Sequence, residues 1–306
     1  MMKSFLKRVV IAGLILLLFL FSIFVVVDSR GLSDYAYKRV LSKEAGSLIV
    51  GTSRAAQALQ PEIMNPLIAS MGYLPAYNFS FTIIDSPFGE IYYKAISKKV
   101  NWNEEQPSKR LFIICVDPFS LCDVQEMDKK GIREREGILY GIPFYSKPNF
   151  YYLAKYLKPW KWLKDSKFMI LHDDGWLELK INMDNSSVLE RNKKEKISYY
   201  KKYTATPSQD RKDWLIKTIE FFMGAGDVCL CRLSTCLEMN EIENRIWPEF
   251  DHEMKRVADR YDIAYHSFFE DYHQYRTIDG NHICAEDGKL ISRALCDSIA
   301  IYNKTH

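Results

Sequence analysis

The segment Ser47-Leu-Ile-Val-Gly-Thr-Ser-Arg54 decides the fold class, because it joins a short apolar run to a turn and a helix start. The run over residues 47–50 is typical of a strand buried on both faces. Gly51 ends this run, and a helical stretch follows to about Ile68, interrupted near Pro61 and Pro66. A buried strand that leads through a tight turn into a helix is the building unit of α/β proteins.

The same alternation continues towards the carboxyl terminus. Further strands are predicted over residues 76–81, 111–116, 227–233 and 263–267, and helices over residues 88–100, 214–223, 241–261 and 286–302. Short apolar strands that alternate with helices predict a parallel five-stranded sheet in a three-layer, flavodoxin-like sandwich. Functional sites in such sheets form at the carboxyl ends of the strands.

An apolar segment near the amino terminus predicts a transmembrane anchor over residues 9–27. It carries no charge and would span roughly 28 Å as a helix, the thickness of a bilayer's hydrocarbon core. Residues 1–8 are then a cytoplasmic head and residues 28–44 a juxtamembrane linker. A cleaved signal peptide and a buried core helix are the alternatives, but the length of the run and its poor cleavage site favour the anchor.

The charge distribution bears on location and on partners. Basic residues flank the anchor on both sides, so the positive-inside count is nearly balanced. A short head before a large domain favours a single-pass protein of the cell membrane, with residues 45–306 on the extracytoplasmic side, periplasmic or extracellular. Lys3, Lys7 and Arg8 account for the whole net charge of +3, so the rest of the chain has no net charge and no nucleic-acid partner is expected.

The cysteines and histidines predict neither a disulfide framework nor a metal site. The seven cysteines are an odd number and include no C-x-x-C pair, so we interpret them as small buried hydrophobes. His172 adjoins Asp173 and Asp174, but no second histidine lies nearby at ligand spacing. We therefore expect no metal and no other cofactor.

Two loops at opposite ends of the domain carry the residue types of a serine nucleophile site. Ser53 lies at a strand-to-helix turn, which exposes its hydroxyl beside a helix N-terminus. Asp279 and His282 are three apart in one loop, so the carboxylate can orient one imidazole nitrogen while the other faces Ser53. Each piece also has a plainer interpretation, because Gly-Ser loops and Asp-Gly turns are common.

Together the two motifs resemble those of the SGNH/GDSL hydrolase superfamily. In that superfamily the serine follows a glycine after strand one, and Asp-x-x-His precedes the last helix. The resemblance covers about residues 47–302, apart from an insertion at about 120–206, and implies Ser53 as nucleophile, His282 as general base and acid, and Asp279 as its orienting acid. With the anchor helix, the chain looks like the members linked to cell-envelope acylation, the DltD-like and alginate O-acetylation proteins.

Three positions depart from the family pattern. Thr52 stands where the family often has Asp. In the family, the backbone N–H of a glycine in a second conserved block and the side chain of an Asn in a third block help the serine's own N–H to bind the oxyanion. Asn78-Phe-Ser80 looks like the second block with Ser80 at the glycine position, where a backbone N–H would still be present. The Asn of the third block has no counterpart, since the third strand ends in Asp117-Pro118, and an ionised Asp117 would repel an oxyanion. Asn78 is the substitute side-chain donor that we expect.

Arg54 and the insertion each have more than one interpretation. Arg54 follows the serine, either as a clamp for a substrate carboxylate or phosphate or as a structural salt bridge or helix-start hydrogen bond. The insertion holds an aromatic, basic stretch over residues 144–167 and the run Leu171-His-Asp-Asp-Gly-Trp-Leu177. It is expected to contact sugar or lipid, or to form a small core of its own.

The resemblance implies a membrane-tethered serine esterase or O-acyltransferase that acts on cell-envelope glycan or lipid-linked carbohydrate. For transfer, a multispanning membrane O-acyltransferase is the expected partner. The alternative is a non-catalytic SGNH-fold protein that binds glycan or assists such an acyltransferase. A third possibility is a structural protein of the cell envelope that carries out no chemistry at this site.

Overall fold

The computed structural model describes residues 2–30, 35–42, 45–100, 109–124, 138–139, 149, 151–152, 168–200 and 205–305. The chain forms two compact units, one of residues 1–42 with 141–167 and the other of residues 43–140 with 168–306. Most of the aromatic, basic stretch predicted over residues 144–167 lies outside the described residues.

The first unit is built on helix α1 (Met2–Arg30) and helix α2 (Tyr35–Val40). Helix α1 contains the apolar span Met2–Ile23, which has a mean hydropathy of 2.4 and is not buried within the protein. This span is long and apolar enough to cross a membrane, which agrees with the predicted anchor. Helix α2 lies within the predicted linker, where the Tyr37 ring packs 5.0 Å from that of Tyr152.

The second unit holds nine strands and eight helices among its described residues. In chain order the strands are β1 (Ser47–Val50), β2 (Ala76–Asn78), β3 (Leu111–Cys115), β4 (Cys122–Val124), β5 (Met169–Leu171), β6 (Leu177–Leu179), β7 (Ala205–Pro207), β8 (Asp227–Arg232) and β9 (Ala264–Ser267). The helices are α3 (Ser53–Ala58), α4 (Pro61–Ser70), α5 (Glu90–Ser97), α6 (Asn185–Tyr200), α7 (Gln209–Met223), α8 (Leu237–Ile246), α9 (Phe250–Tyr261) and α10 (Ala285–Thr305).

A five-stranded parallel sheet forms the centre of this unit, in the order β2-β1-β3-β8-β9. Successive residues of a strand point to opposite faces, so Ile113 and Cys115 pack against α3, α4 and α10. On the other face Phe112 stacks on Phe222 of α7, with 4.3 Å between the ring centroids. The predicted α/β architecture with a parallel five-stranded sheet is confirmed.

Prolines mark helix boundaries at two places in this unit. The helical stretch to about Ile68 is interrupted near Pro61 as predicted, because α3 ends at Ala58, where the backbone becomes extended, and Pro61 starts α4. The interruption predicted near Pro66 is wrong, because Pro66 lies inside α4. The prediction of one helix over residues 241–261 is wrong, because α8 ends at Ile246 and α9 begins only after Pro248. Proline lacks an N–H and disfavours helical geometry in the residue before it, so Pro61 and Pro248 mark boundaries.

The described part of the insertion packs on the sheet unit. Strands β4 and β7 pair antiparallel across its two ends, and β5 and β6 form a hairpin. At the tip of the hairpin the Trp176 indole N–H donates to the Gln57 carbonyl oxygen at 2.8 Å, and the Asn78 N–H donates to the Asp174 carbonyl oxygen at 2.9 Å. In the described residues, therefore, the hairpin covers α3 and the edge strand β2.

Candidate active site

The two loops singled out in the sequence meet at the carboxyl edge of the sheet. Ser53 is the first residue of α3 and follows β1 after a two-residue turn. The Ser53 Oγ atom lies 2.8 Å from Nε2 of His282, and both side chains are only partly buried. The hydroxyl and the imidazole are therefore in hydrogen-bonding contact.

Asp279 holds the other side of the imidazole. Its Oδ2 atom lies 2.8 Å from His282 Nδ1, and its Oδ1 atom accepts the backbone N–H groups of Asn281 and His282 at 3.0 and 2.9 Å. Burial opposes ionisation of Asp279, but the charge and hydrogen bonds of His282 outweigh it, so the pKa of Asp279 is lowered. An ionised carboxylate only accepts hydrogen bonds, so Nδ1 carries the proton and Nε2 is left to accept from Ser53.

Gly51 allows the serine turn to lie close to strand β3. Its φ of +155° is outside the usual range for L-residues, and an added Cβ would lie 2.7 Å from Cβ of Cys115. The Gly51 N–H donates to the Tyr92 hydroxyl at 3.0 Å. A residue with a side chain at position 51 would push Ser53 away from its observed place.

Gly280 has the corresponding role in the histidine loop. Its φ is +87°, and an added Cβ would lie 2.9 Å from Cys236 Sγ. The Cys236 N–H donates to the Gly280 carbonyl oxygen at 2.8 Å, and the Ile278 N–H donates to the His282 carbonyl oxygen at 2.8 Å. These bonds close the loop and place Asp279 and His282 on one side of it.

Asp117 supports the serine turn rather than standing alone at the strand end. The Thr52 hydroxyl donates to Asp117 Oδ2 at 2.9 Å, and the Ser120 N–H donates to Asp117 Oδ1 at 3.0 Å. Both carboxylate oxygens therefore have internal donors. The Thr52 hydroxyl supplies one of them.

Asn78 and Ser80, the expected oxyanion donors, are also engaged within the protein. The two Nδ2 hydrogens of Asn78 go to the carbonyl oxygens of Ala55 and Leu59 at 2.8 and 2.9 Å. Its Oδ1 atom accepts the Ser80 N–H at 3.2 Å. In this arrangement Asn78 braces α3 and has no amide hydrogen left for an oxyanion.

The backbone N–H of Ser53 remains as a donor beside the Ser53 hydroxyl. It lies in the first turn of α3, where N–H groups have no partner within the helix. Among the described residues no oxygen accepts it. This N–H therefore lies next to the hydroxyl and is available to an oxyanion that forms there.

Arg54 is buried, with only 5% of its surface exposed. Its Nε donates to Asn281 Oδ1 at 2.7 Å, and Nη1 lies 2.5 Å from Glu243 Oε1. These contacts match the structural interpretation of Arg54 rather than the substrate clamp. Sequence reasoning missed Asn281 and Glu243, because Glu243 looks like an ordinary polar position of an amphipathic helix.

The histidine of the insertion is engaged outside this site. His172 Nε2 lies 3.0 Å from Glu178 Oε2, and its ring stacks on Trp176 with 4.4 Å between centroids. Within the described ranges, no group of three or more His, Cys, Asp or Glu side chains has the geometry of a metal site. All seven cysteines are free, and burial raises the pKa of Cys229 and Cys231 well above that of an ordinary thiol.

The hydrogen-bonded series from Ser53 through His282 to Asp279 is one in which an imidazole can take the proton of a hydroxyl. A carboxylate on the far side then stabilises the imidazolium that forms. The chain matches no known family model and no curated protein sequence.

Proposed function

We propose that this protein is a membrane-tethered serine esterase or O-acyltransferase that acts on cell-envelope glycan or lipid-linked carbohydrate. The observation that carries the proposal is the Ser53 Oγ to His282 Nε2 distance of 2.8 Å, with Asp279 2.8 Å from the opposite ring nitrogen. Both hydrogen bonds have the length that proton transfer requires.

In the first half-reaction His282 Nε2 takes the proton of Ser53 while Oγ attacks the carbonyl carbon of an ester. The tetrahedral oxyanion accepts a hydrogen bond from the Ser53 N–H. It collapses when the C–O bond to the alcohol breaks, and His282 gives its proton to that leaving oxygen. The products are the free alcohol and an acyl group on Ser53.

In the second half-reaction His282 takes a proton from an incoming hydroxyl, which attacks the acyl-serine. The acyl group leaves Ser53, and the proton returns from His282 to Oγ. Water as the incoming hydroxyl gives hydrolysis, and a sugar hydroxyl gives transfer. Asp279 stays ionised throughout and stabilises the imidazolium.

The topology supports an SGNH-type, flavodoxin-like three-layer fold. Counting only the strands of the central sheet, their order is 2-1-3-4-5, the order of flavodoxin-like sheets. Ser53 follows the first strand, and Asp279 and His282 precede the last helix, as in the resemblance drawn from the sequence. Ligands of such sheets bind at the carboxyl edge, where these residues lie.

The membrane-spanning capacity of α1 supports a substrate of the envelope. Export of residues 45–306 would hold the serine near envelope carbohydrates, beyond the cytoplasmic face of the membrane. A multispanning O-acyltransferase in the same membrane is the partner that we propose for the transfer reaction. It would supply acyl groups that Ser53 accepts and passes on.

One observation favours a second candidate, a non-catalytic accessory protein with the same fold. The donors expected for the oxyanion at Asn78 and Ser80 are used internally, and Asp117 stands where the family has Asn. Loss of one oxyanion donor costs on the order of 10²–10³ in rate. This candidate predicts glycan binding without turnover.

Labelling of the full-length, detergent-solubilised protein with a fluorophosphonate probe tests the proposal. Wild type should be labelled, and Ser53→Ala should not. Ser70→Ala is the matched control, because Ser70 is exposed on α4 and its hydroxyl bonds only to the Leu67 carbonyl oxygen. Equal labelling of wild type and Ser53→Ala would reject the assignment of the nucleophile.

Hydrolysis of p-nitrophenyl acetate by the same variants separates the two candidates. An esterase or acyltransferase should release acetate at a rate that Ser53→Ala abolishes. No release by wild type, together with measurable glycan affinity that survives Ser53→Ala, would favour the accessory protein.

A further inference from the structure

The side chain that follows the nucleophile connects the two loops of the site. Arg54, in the first turn of α3, donates from Nε to Oδ1 of Asn281 at 2.7 Å. Asn281 is the residue before His282 and is only 3% exposed. This bond joins the serine helix to the histidine loop at a point separate from the Ser53–His282 contact.

The contact with Arg54 also determines how the Asn281 amide is oriented. A guanidinium only donates hydrogen bonds, so the oxygen of the amide must face Arg54. The Nδ2 end then lies on the opposite side, 3.5 Å from His282 Nε2. Rotation of the amide would place two donors face to face, so the orientation is fixed by chemistry.

Arg54 is itself held by a buried carboxylate. Glu243 is 1% exposed and lies between two arginines, with Oε1 2.5 Å from Arg54 Nη1 and Oε2 2.7 Å from Arg232 Nη2. Arg232 also pairs with Asp251. The two arginines and the two carboxylates of this cluster therefore balance in charge, and Arg54 places no uncompensated positive charge beside the imidazole of His282.

We propose that Arg54 and Asn281 are positioning residues, which keep His282 in line with Ser53 and do not themselves bind substrate. This inference rests on the proposed function, since it concerns the same nucleophile and base. Arg54 fixes Asn281, and Asn281 in turn limits the movement of the loop that carries His282. A displacement of about 1 Å between reacting groups can cost about 10²-fold in rate, so the bond has a measurable effect on turnover.

A pair of variants of similar size at position 281 tests the role of the bond. Asn281→Gln keeps an uncharged amide oxygen for Arg54, whereas Asn281→Leu removes it. We expect Asn281→Leu to lower kcat for p-nitrophenyl acetate by roughly 10–100-fold with KM unchanged, and Asn281→Gln to retain more of the kcat than Asn281→Leu. Fluorophosphonate labelling should slow in parallel.

Arg54→Lys tests the other end of the bond. A lysine ammonium is a point charge and cannot reproduce the two-sided contact to Asn281 and Glu243, so kcat should fall with KM unchanged. Arg260→Lys, at an exposed position of α9, is the control and should behave as wild type. A raised KM with unchanged kcat in Arg54→Lys would show that Arg54 contributes to substrate binding and would overturn the inference.

The failures of the two proposals are distinguishable. If Ser53→Ala is still labelled, the nucleophile assignment fails. If Ser53→Ala is unlabelled but Asn281→Leu keeps the wild-type kcat, the positioning role alone fails. Thermal unfolding of each variant separates loss of fold from loss of rate, and Asn281→Ala replaces Asn281→Leu if the latter does not fold.

Discussion

His282 Nε2 and Ser53 Oγ lie 2.8 Å apart, although 229 positions separate the two residues in the sequence. The docking of the last helix brings them together. At the junction of α3 and α4, the Gln60 N–H donates to Ser292 Oγ at 3.0 Å, and Gln60 Nε2 donates to the Ala285 carbonyl oxygen at 2.6 Å. Helix α10 is therefore held against the helix that carries Ser53, and the loop before α10 places His282 beside this serine.

The first prediction concerns the orientation of the imidazole. Asp279→Asn places an amide against His282 Nδ1 and favours the tautomer with its proton on Nε2, so Ser53 loses its base. We expect p-nitrophenyl acetate hydrolysis to fall on the order of 10³–10⁴-fold, with the fold retained. Asp271→Asn, in the neighbouring Asp271-x-His273 pair, should leave the rate unchanged, and a loss there instead would identify that pair as the base.

The second prediction concerns pH and stability. The pKa of Asp279 in the folded protein is lowered from 3.8. As pH falls, Asp279 therefore becomes protonated at a higher pH in the unfolded chain than in the folded protein. The ionised Asp279 therefore stabilises the fold above its pKa in the unfolded chain. This stabilisation is lost as pH falls through its lower pKa in the folded protein. The free energy of unfolding of wild type should exceed that of Asp279→Asn at pH 7, and the difference should shrink below about pH 4. A difference that stays constant from pH 7 to pH 3 would contradict this.

The third prediction concerns the support of the serine turn by Asp117. Asp117→Ala leaves the Thr52 hydroxyl and the Ser120 N–H without their partner, so the free energy of unfolding should fall by about 1–3 kcal/mol. Thr52→Val removes one donor with little change of shape and should cost about 1 kcal/mol. Denaturant unfolding of both single variants and the double variant should show coupling. Strict additivity would mean that the two side chains act independently.

The sequence predicts the elements and contacts that depend on local pattern. The apolar run of β3 and the Asp279-x-x-His282 spacing were both informative, since each lies within a few residues. Asn78 is different, because its role depends on where the carbonyls of Ala55 and Leu59 come to lie after folding. Likewise, the pairing of Arg54 with Glu243 depends on how α8 packs. The sequence around a glutamate in an amphipathic helix does not indicate which arginine it will pair with.

The fourth prediction concerns the membrane anchor. Leu16→Arg with Leu18→Arg places two charges in the apolar span Met2–Ile23, at a cost of about 2.5–3.5 kcal/mol each near the centre of a bilayer. The protein should then move from the membrane pellet to the carbonate-soluble fraction. Met2→Arg, at the end of the span where a long side chain can reach the interface, should stay in the pellet. Retention of the double variant in the pellet would argue against a spanning helix.

The last prediction uses two glycines that share a backbone conformation but differ in their surroundings. Gly175 and Gly72 have φ of +87° and +86°. The backbone strain of an alanine should therefore be similar at both positions, about 1–2 kcal/mol. An added Cβ at position 175 would lie 2.2 Å from the Asn78 carbonyl oxygen, whereas at position 72 it meets nothing within 4 Å. Gly175→Ala must therefore move the hairpin away from β2 and should lower the free energy of unfolding more than Gly72→Ala. It should also expose the Trp176 indole, which a red shift in tryptophan fluorescence would report, whereas equal destabilisation by both variants would mean that the hairpin does not pack against β2 as described.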